Sequence, residues 1–324
     1  MDRRKFLRTG TVAAGLAASQ RLLDPITTNA EAGKLKEIPK RPLGKTGEKL
    51  SIIGFGGIVV MNAEQAVANK TVAEAFECGV NYFDVAPSYG NAEEKLGPAL
   101  EPFRKRVFLA CKTAKRDKAG AAEELESSLK HMRTDHFDLY QLHAMTKMSE
   151  VETVFGPNGA METFLAARKA GKVRYIGFSA HSAESAIALM DRFRFDSILF
   201  PMNYVLFSQA KFGPQVLEHA RKKGMGILAL KAMAKTVWPK EMKGSDRQQP
   251  KCWYQPAPLP EQAALALRWT LSQPITAALP PGDEKYFQHA LHVAQRYEPI
   301  RPEEEKILMA SAQGVEPIFH LGNA

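Results

Sequence analysis

The 324-residue sequence has few cysteines and no long apolar run, and these absences exclude several classes of protein. Its three cysteines, Cys78, Cys111 and Cys252, are widely spaced and form no Cys-x-x-Cys pair, so neither a cysteine zinc site nor attached haem is indicated. Because three is an odd number, at least one thiol has no intramolecular disulfide partner. No segment approaches the roughly 20 apolar residues of a transmembrane helix, so we expect no stable membrane anchor after processing.

The sequence also lacks any dense cluster of charge of one sign. Lysine and arginine exceed aspartate and glutamate by 9. Removing the first 32 residues, which hold two more basic than acidic groups, lowers this excess to 7. The basic residues form no continuous stripe, so we expect no nucleic-acid partner. There is no His-x-His pattern and no clustered set of carboxylates, so a metal-dependent hydrolase is disfavoured and we predict no metal site.

Residues 1–32 are predicted to be an export signal. Arg3 and Arg4 are followed by Phe and Leu and then by small apolar residues at 9–18. An Ala-x-Ala cleavage site follows at Ala30-Glu31-Ala32. The order Arg-Arg-x-Phe-Leu resembles a twin-arginine signal. We therefore expect a periplasmic or exported protein that engages the twin-arginine machinery, with residues 33–324 as its mature domain. A basic amphipathic tail is the alternative interpretation.

After residue 40 the chain alternates between apolar, β-branched runs and helix-like stretches. The eight predicted strands are 50–57, 82–86, 107–113, 137–144, 173–179, 197–204, 226–232 and 276–282. Eight strand–helix units predict an α/β protein with a (β/α)8 TIM barrel, in which 120–132 and 261–273 are helices. An open, doubly wound sheet is the alternative, but the segment GFGGIVVMN does not supply Gly-x-Gly-x-x-Gly. Two turn signals within 40–50 predict a hairpin at the bottom of the barrel.

One long loop interrupts this alternation, after the seventh predicted strand. Residues 233–259 are rich in proline, lysine and aromatic side chains. Long loops in compact domains are usually functional or disordered, and loops that follow barrel strands lie on the catalytic face. We therefore predict that Trp238, Trp253 and Tyr254 form walls of a substrate-binding mouth. Packing of these aromatic side chains against the barrel is the alternative.

Polar residues end or follow three neighbouring predicted strands. Asp84 ends the second strand, with Tyr89 in its loop, Lys112 ends the third strand and His143 ends the fourth. Carboxyl ends of parallel strands meet on one face of a barrel, and buried charges are usually paired, so we expect an Asp84–Lys112 ion pair. A lysine near Tyr89 favours the phenolate and should lower the tyrosine pKa, which suits a proton donor. His143 is placed to hydrogen-bond a substrate oxygen.

The same segments resemble the aldo-keto reductase family between about residues 41 and 294. The landmarks are RPLGKTGEKLSIIGFGG, GVNYFDVAPSYGNAEEKLG, VFLACKT, FDLYQLHAM and GKVRYIGFSAH, in the order that the family has them. The resemblance implies a barrel that reduces carbonyl groups with a nicotinamide cofactor, usually NADPH, with NADH possible. It also implies that four residues are catalytic: Asp84, Tyr89, Lys112 and His143.

The cofactor-binding positions depart from the family pattern. The family commonly has Ser-Asn after strand five, whereas this sequence has Ser179-Ala180, and the aromatic residue usual after strand seven is replaced around Lys231. A Pro-Gly turn before a helix suits a phosphate, with Lys285 as its candidate cation. The resemblance thus implies a cofactor site formed by Ser179, Lys231, Pro281, Gly282 and Lys285.

Two functions from different classes remain open. The first is a reductase of small-molecule aldehydes, ketones or sugar-like carbonyl compounds, in which Tyr89 donates the proton. The second is a catalytically retired barrel that acts as a ligand-binding or partner-binding module, since a fold does not determine a function. The Asp84–Tyr89–Lys112–His143 set favours the reductase, because a retired site has no need of an ion pair beside a phenol.

Overall fold

A computed structural model describes residues 37–322, which form a barrel of parallel strands surrounded by helices. The strands are β1 (Lys40–Pro42), β2 (Lys49–Ser51), β3 (Phe55–Gly56), β4 (Tyr82–Asp84), β5 (Phe108–Thr113), β6 (Phe137–Met145), β7 (Val173–Ala180), β8 (Ser197–Pro201), β9 (Gly226–Leu230), β10 (Ala234–Val237), β11 (Tyr254–Pro256) and β12 (Ala277–Leu279). The helices are α1 (Gln65–Glu77), α2 (Ala92–Leu100), α3 (Lys118–His131), α4 (Met148–Phe155), α5 (Ala160–Lys169), α6 (Ala183–Arg192), α7 (Tyr204–Gln209), α8 (Pro214–Lys223), α9 (Glu261–Ser272), α10 (Glu284–Gln295) and α11 (Pro302–Ser311).

Eight parallel strands form the central sheet in the order β3-β4-β5-β6-β7-β8-β9-β12. A parallel bridge between Ile53 and Ala278 joins its two ends and closes the barrel. The predicted (β/α)8 fold is therefore confirmed, and the open sheet is excluded. The strands are almost entirely buried because helices cover one face and the barrel interior covers the other, which explains their continuous apolar runs.

The predicted hairpin is present as the antiparallel pair β1–β2. Its Leu43 and Leu50 are fully buried in a cluster with barrel residues such as Tyr82 and Leu139, so the hairpin seals the bottom of the barrel. Gly44 makes the close approach feasible. Its φ is +52°, and an added Cβ would lie 2.4 Å from the backbone nitrogen of Gly226.

The first predicted strand, 50–57, is wrong in its extent. Residues Lys49–Ser51 belong to the hairpin, whereas Phe55–Gly56 pair with β4 and Ile53 forms the single bridge to Ala278. The break has a local cause, because the Ser51 hydroxyl donates to the Ile53 carbonyl at 2.7 Å and turns the chain between the two strands. The predicted helices at 120–132 and 261–273 correspond to α3 and α9.

The long segment 233–259 is present after β9 and contains structure that the sequence did not predict. Strands β10 and β11 pair antiparallel and form a two-stranded arm, with a short 3₁₀ turn at Gly244–Asp246. The hydroxyl of Thr236 donates to the Glu316 carbonyl at 2.9 Å, which ties the arm to the segment after α11. This arm stands beside the carboxyl end of β9, at the mouth of the barrel.

The predicted export signal at 1–32 lies outside the described residues, and so does the boundary proposed at residue 33. Within 37–322, no helix combines the length and the apolar character needed to cross a membrane.

Candidate active site

A cavity of about 310 Å³ opens at the carboxyl ends of the barrel strands. Its lining includes Tyr89, Lys112, His143, Ser179, Lys231 and Trp253. Four larger clefts, of about 400 to 1420 Å³, contain none of the predicted catalytic residues, and the two largest lie near the amino ends of the strands. Catalytic residues of TIM barrels project from the carboxyl ends, so the smaller cavity is the candidate active site.

The predicted ion pair between Asp84 and Lys112 is confirmed. Both side chains are fully buried, at 1% and 0% exposure, and the Lys112 ammonium contacts Asp84 Oδ1 directly. The same ammonium donates to the carbonyl of Val85 at 3.1 Å. Burial opposes the charge on Lys112, but the attraction of Asp84 outweighs it and the pKa of Lys112 is raised. The pair therefore keeps a positive charge at the top of an apolar barrel.

Two residues that the sequence reasoning missed hold Asp84 in place. The Tyr82 hydroxyl and the Gln141 amide both donate to Asp84 Oδ2, at 3.1 and 3.2 Å. A signal for them exists in the sequence. Tyr82 lies two residues before Asp84 and Gln141 lies two before His143, and alternate residues of a strand point to the same face.

Tyr89 lies beside both Lys112 and His143. The Lys112 ammonium is 5.1 Å from the centre of the phenol ring, and the His143 ring meets it edge-on at 5.6 Å. The expectation that the pKa of Tyr89 falls is wrong. Burial raises this pKa; Lys112 lowers it, but Asp84 partly cancels the lysine and burial prevails. Tyr89 consequently remains a protonated phenol at neutral pH, the form that can donate.

His143 is a neutral imidazole. Burial, followed by the positive charge of Lys112, holds the pKa of His143 well below its usual value. Its Nδ1 lies 3.3 Å from the hydroxyl of Ser88, another residue that the sequence reasoning missed. Arg116 donates to the His143 carbonyl at 2.7 Å and anchors the end of β6. The ring can therefore donate or accept a hydrogen bond without carrying charge.

The residues predicted to bind cofactor do not all come together. Ser179 and Gly282 line the cavity, as does Pro280, whereas Pro281 is buried beside them. Ser179 Oγ accepts a hydrogen bond from the Ala144 amide at 2.7 Å, and its own proton stays available to a ligand.

Lys285 is exposed and lies outside the cavity lining. The first turn of α10, where a phosphate was expected, is already capped by a carboxylate. Asp283 Oδ1 accepts from the amides of Lys285 and Tyr286 at 3.0 and 3.3 Å. A phosphate on these amides would have to displace Asp283 and would meet its negative charge.

The aromatic residues of the long segment separate into two groups. Trp253 and Tyr254 line the cavity, with Trp253 46% exposed. Trp238 is 8% exposed and lies outside the lining; its indole nitrogen donates to the Cys252 carbonyl at 2.9 Å and braces the arm. Phe319, which no strand or motif signals, packs against Trp253 with ring centres 5.7 Å apart.

Lys231 and Lys251 add two cations to the cavity. Lys251, which the sequence reasoning missed, donates to the Val59 carbonyl at 2.9 Å. The Lys231 ammonium lies 5.0 Å from the ring centres of both Trp253 and Tyr254. Burial lowers the pKa of Lys231 to about 8.

The carboxyl end of the barrel thus brings together a phenol, a buried lysine–aspartate pair and a neutral imidazole. A family model described as "Aldo/keto reductase family" matches residues 53–297, more than half of the sequence. The chain belongs to the aldo/keto reductase family. This match lends no support to a retired barrel.

Individual relatives agree with the family. Aldo-keto reductase YhdN of Bacillus subtilis is 33% identical over 171 residues, which cover 47% of this chain and 49% of that protein. L-Galactose dehydrogenase of Arabidopsis thaliana is 26% identical over 218 residues, covering 62% and 67%. The chain thus spans about half the length of the first relative and two thirds of the second.

Among solved structures, aldo-keto reductase AKR11C1 from Bacillus halodurans (holo form) superposes with a TM-score of 0.66 at 21% identity, covering 88% of this chain and 99% of that one. At this level of identity the similarity shows the shared fold.

Proposed function

We propose that this protein reduces a small-molecule carbonyl group to an alcohol with a nicotinamide cofactor, and that Tyr89 donates the proton. The observation that carries the proposal is the position of the Tyr89 phenol, which lies between the buried Lys112–Asp84 pair and the neutral His143 in one cavity. A proton donor, its electrostatic support and a hydrogen-bonding partner for oxygen are the groups that such a reduction needs.

A nicotinamide bound here would supply a hydride to the carbonyl carbon, and negative charge would then develop on the carbonyl oxygen. His143 and Tyr89 both face the space where that oxygen would bind. Tyr89 gives its proton to the oxygen and is left as a phenolate, which the Lys112 ammonium stabilises. Asp84 keeps Lys112 charged and positioned, with Tyr82 and Gln141 holding the carboxylate.

We propose NADPH as the cofactor, with NADH as the alternative. The residues present fit a nicotinamide, because the Ser179 hydroxyl has a proton to donate and the Gly282 turn borders the same cavity. The fit is poorer for a phosphate at the start of α10, because the Asp283 carboxylate already accepts hydrogen bonds from the first backbone amides of that helix. A cofactor phosphate would therefore draw on another cation, and Lys251 at the cavity wall is the candidate.

The substrate class that the cavity supports is an aldehyde, ketone or sugar-like carbonyl compound. A volume of about 310 Å³ lies at the lower end of the usual range for small-molecule sites. Trp253 and Tyr254 offer apolar walls with polar edges, which suits a small ring or a short polar chain. One relative bears the name of a sugar dehydrogenase.

We also propose that the protein is exported through the twin-arginine pathway and acts in the periplasm or beyond. The support is the sequence of residues 1–32, with its arginine pair and Ala-x-Ala site. This pathway would carry the folded barrel with its cofactor already bound. Reduced cofactor must then be regenerated outside the cytoplasm for sustained turnover.

The reductase proposal is tested by titrating the purified protein with NADPH and NADH, using nicotinamide fluorescence, and by assaying a panel of aldehydes, ketones and sugars. We expect saturable binding of at least one cofactor and its oxidation only when a carbonyl substrate is present. Absence of both cofactor binding and turnover would instead support the retired-barrel alternative.

A further inference from the structure

Lys231 places in the cavity a positive charge that has no part in the proposed reduction mechanism. It follows the last residue of β9 and has a φ of +64°, which is uncommon for a lysine. Its carbonyl accepts hydrogen bonds from the Ala234 amide at 2.9 Å and from the Asn203 side chain at 3.3 Å. These bonds hold the backbone in the turn between the barrel and the arm and so fix the point from which the side chain extends.

The Lys231 ammonium has no anionic partner within residues 37–322. No carboxylate of this part of the chain forms a salt bridge with it, and its close neighbours are the rings of Trp253 and Tyr254. Among the described residues that line the cavity, Asp84 is the one carboxylate, and it is committed to Lys112. A partly buried cation without a counter-charge is costly, which indicates that a ligand supplies the negative charge.

The other lysines of the cavity are differently placed. Lys112 is paired with Asp84, and Lys251 is bonded to the Val59 carbonyl. Lys231 lines the same cavity as His143 and His181, and its charge contributes to lowering the pKa of both histidines. A ligand whose carbonyl group lies at Tyr89 and His143 can therefore extend its other end towards Lys231.

We propose that Lys231, flanked by Trp253 and Tyr254, binds a carboxylate of the substrate, so that the protein prefers carbonyl compounds that carry a carboxylate over neutral ones. This inference rests on the proposed reductase function and names its substrate class. The aromatic neighbours exclude water from one side of the ammonium, and a charge-assisted hydrogen bond is stronger in such surroundings. The role differs from the cofactor-binding role that the family resemblance implies for this residue.

The test uses matched pairs of substrates that differ in charge: 4-formylbenzoate against its methyl ester, and succinic semialdehyde against butanal. The variants are Lys231→Met, Lys231→Arg and, as a control, Lys240→Met, which removes an exposed lysine of the same long segment. We expect Lys231→Met to lower kcat/KM for the anionic member of each pair by about 10- to 100-fold, the range of one charge-assisted hydrogen bond. The neutral members should lose less than the anionic ones, so that the ratio of kcat/KM between the two falls. Lys231→Arg should keep part of the preference, and Lys240→Met should behave as the parent.

A pH series gives a second readout. The groups that face Lys231 are His143, His181, Cys252 and Tyr254, and none of them is a carboxylate. The ammonium is charged below its pKa of about 8 and neutral above it. The preference of the parent for the anionic substrates should therefore decline as the pH rises through about 8, and the Lys231→Met variant should show no such decline.

Three results would overturn the inference, two of them kinetic and one from ligand binding. If Lys231→Met lowers kcat/KM equally for charged and neutral substrates and also weakens NADPH binding, Lys231 binds the cofactor rather than the substrate. If the kinetics do not change, Lys231 has no role in the reaction. Calorimetric titration with benzoate separates this inference from the reductase proposal. If benzoate binds in a Lys231-dependent way but no carbonyl compound is turned over, the reductase activity is contradicted while the carboxylate site at Lys231 is supported. If benzoate binds equally to the parent and to Lys231→Met, the carboxylate site is refuted.

Discussion

Replacing Tyr89 with phenylalanine removes one hydroxyl group and leaves the ring that contacts its neighbours. The Lys112 ammonium and the His143 ring both lie against that ring, so these contacts persist in the variant. Positioned proton transfer contributes about 10² to 10⁴ in rate. This corresponds to roughly 2.7 to 5.4 kcal/mol of transition-state stabilisation, at 1.36 kcal/mol for each factor of ten. We expect turnover to fall by this range while cofactor affinity changes little.

The assay is steady-state cofactor oxidation on the best substrate of an aldehyde panel, with a cofactor titration of the same variant preparation. Because burial raises the pKa of Tyr89 and lowers that of His143, neither residue changes its protonation state between about pH 7 and 9 in the free enzyme. The parent should accordingly show no loss of activity from Tyr89 ionisation in this interval. A Tyr89→Phe variant that reduces every accepted carbonyl as fast as the parent would refute the proton-donor role.

Three further predictions follow from the site and the N-terminus. Lys112→Met should abolish activity or shift its pH profile while cofactor still binds, because the phenolate loses its stabilising charge; a parent-like profile in the same assay would contradict this role. Trp253→Ala should raise KM more than it changes thermal unfolding, since Trp253 is 46% exposed at the cavity, whereas Trp238→Ala, at 8% exposure, should destabilise the fold by about 3 to 5 kcal/mol. If Trp253→Ala loses as much stability as Trp238→Ala and keeps its KM, Trp253 only packs against the barrel. Replacing Arg3 and Arg4 with lysine should retain the protein in the cytoplasm, as measured by cell fractionation, and an unchanged periplasmic yield would rule out the twin-arginine route.

Local sequence was sufficient to predict much of the barrel. Strands buried on both faces require continuous apolar runs, and helices that cover them require their own periodicity, so the eight repeats were visible without tertiary information. The hairpin was visible for the same reason, since its turn signals are local. The first strand was placed wrongly because the Ser51 hydroxyl ends the hairpin strand through a bond to the Ile53 carbonyl, and no composition signal marks that bond.

The Asp84–Lys112 pair was also predictable, because parallel strands bring their carboxyl ends to one face. The direction in which the pKa of Tyr89 shifts was not predictable from the sequence. It is set by a competition between burial and two opposite charges, and the balance depends on how deeply each group lies.

Tertiary structure decided which of the aromatic residues predicted for the cavity wall lie there: Trp253 and Tyr254 do, and Trp238 does not. Trp238 and Trp253 occur in one segment of similar composition, yet the pairing of β10 with β11 buries the first and leaves the second at the mouth. Phe319 reaches the same wall from the far end of the chain. Whether a side chain in a long loop packs or lines a site depends on such distant contacts, whereas the identity of a strand depends on its own residues and their nearest neighbours. For that reason the sequence by itself determined the barrel and the polar groups at its strand ends, and only the folded chain determined which other groups line the cavity.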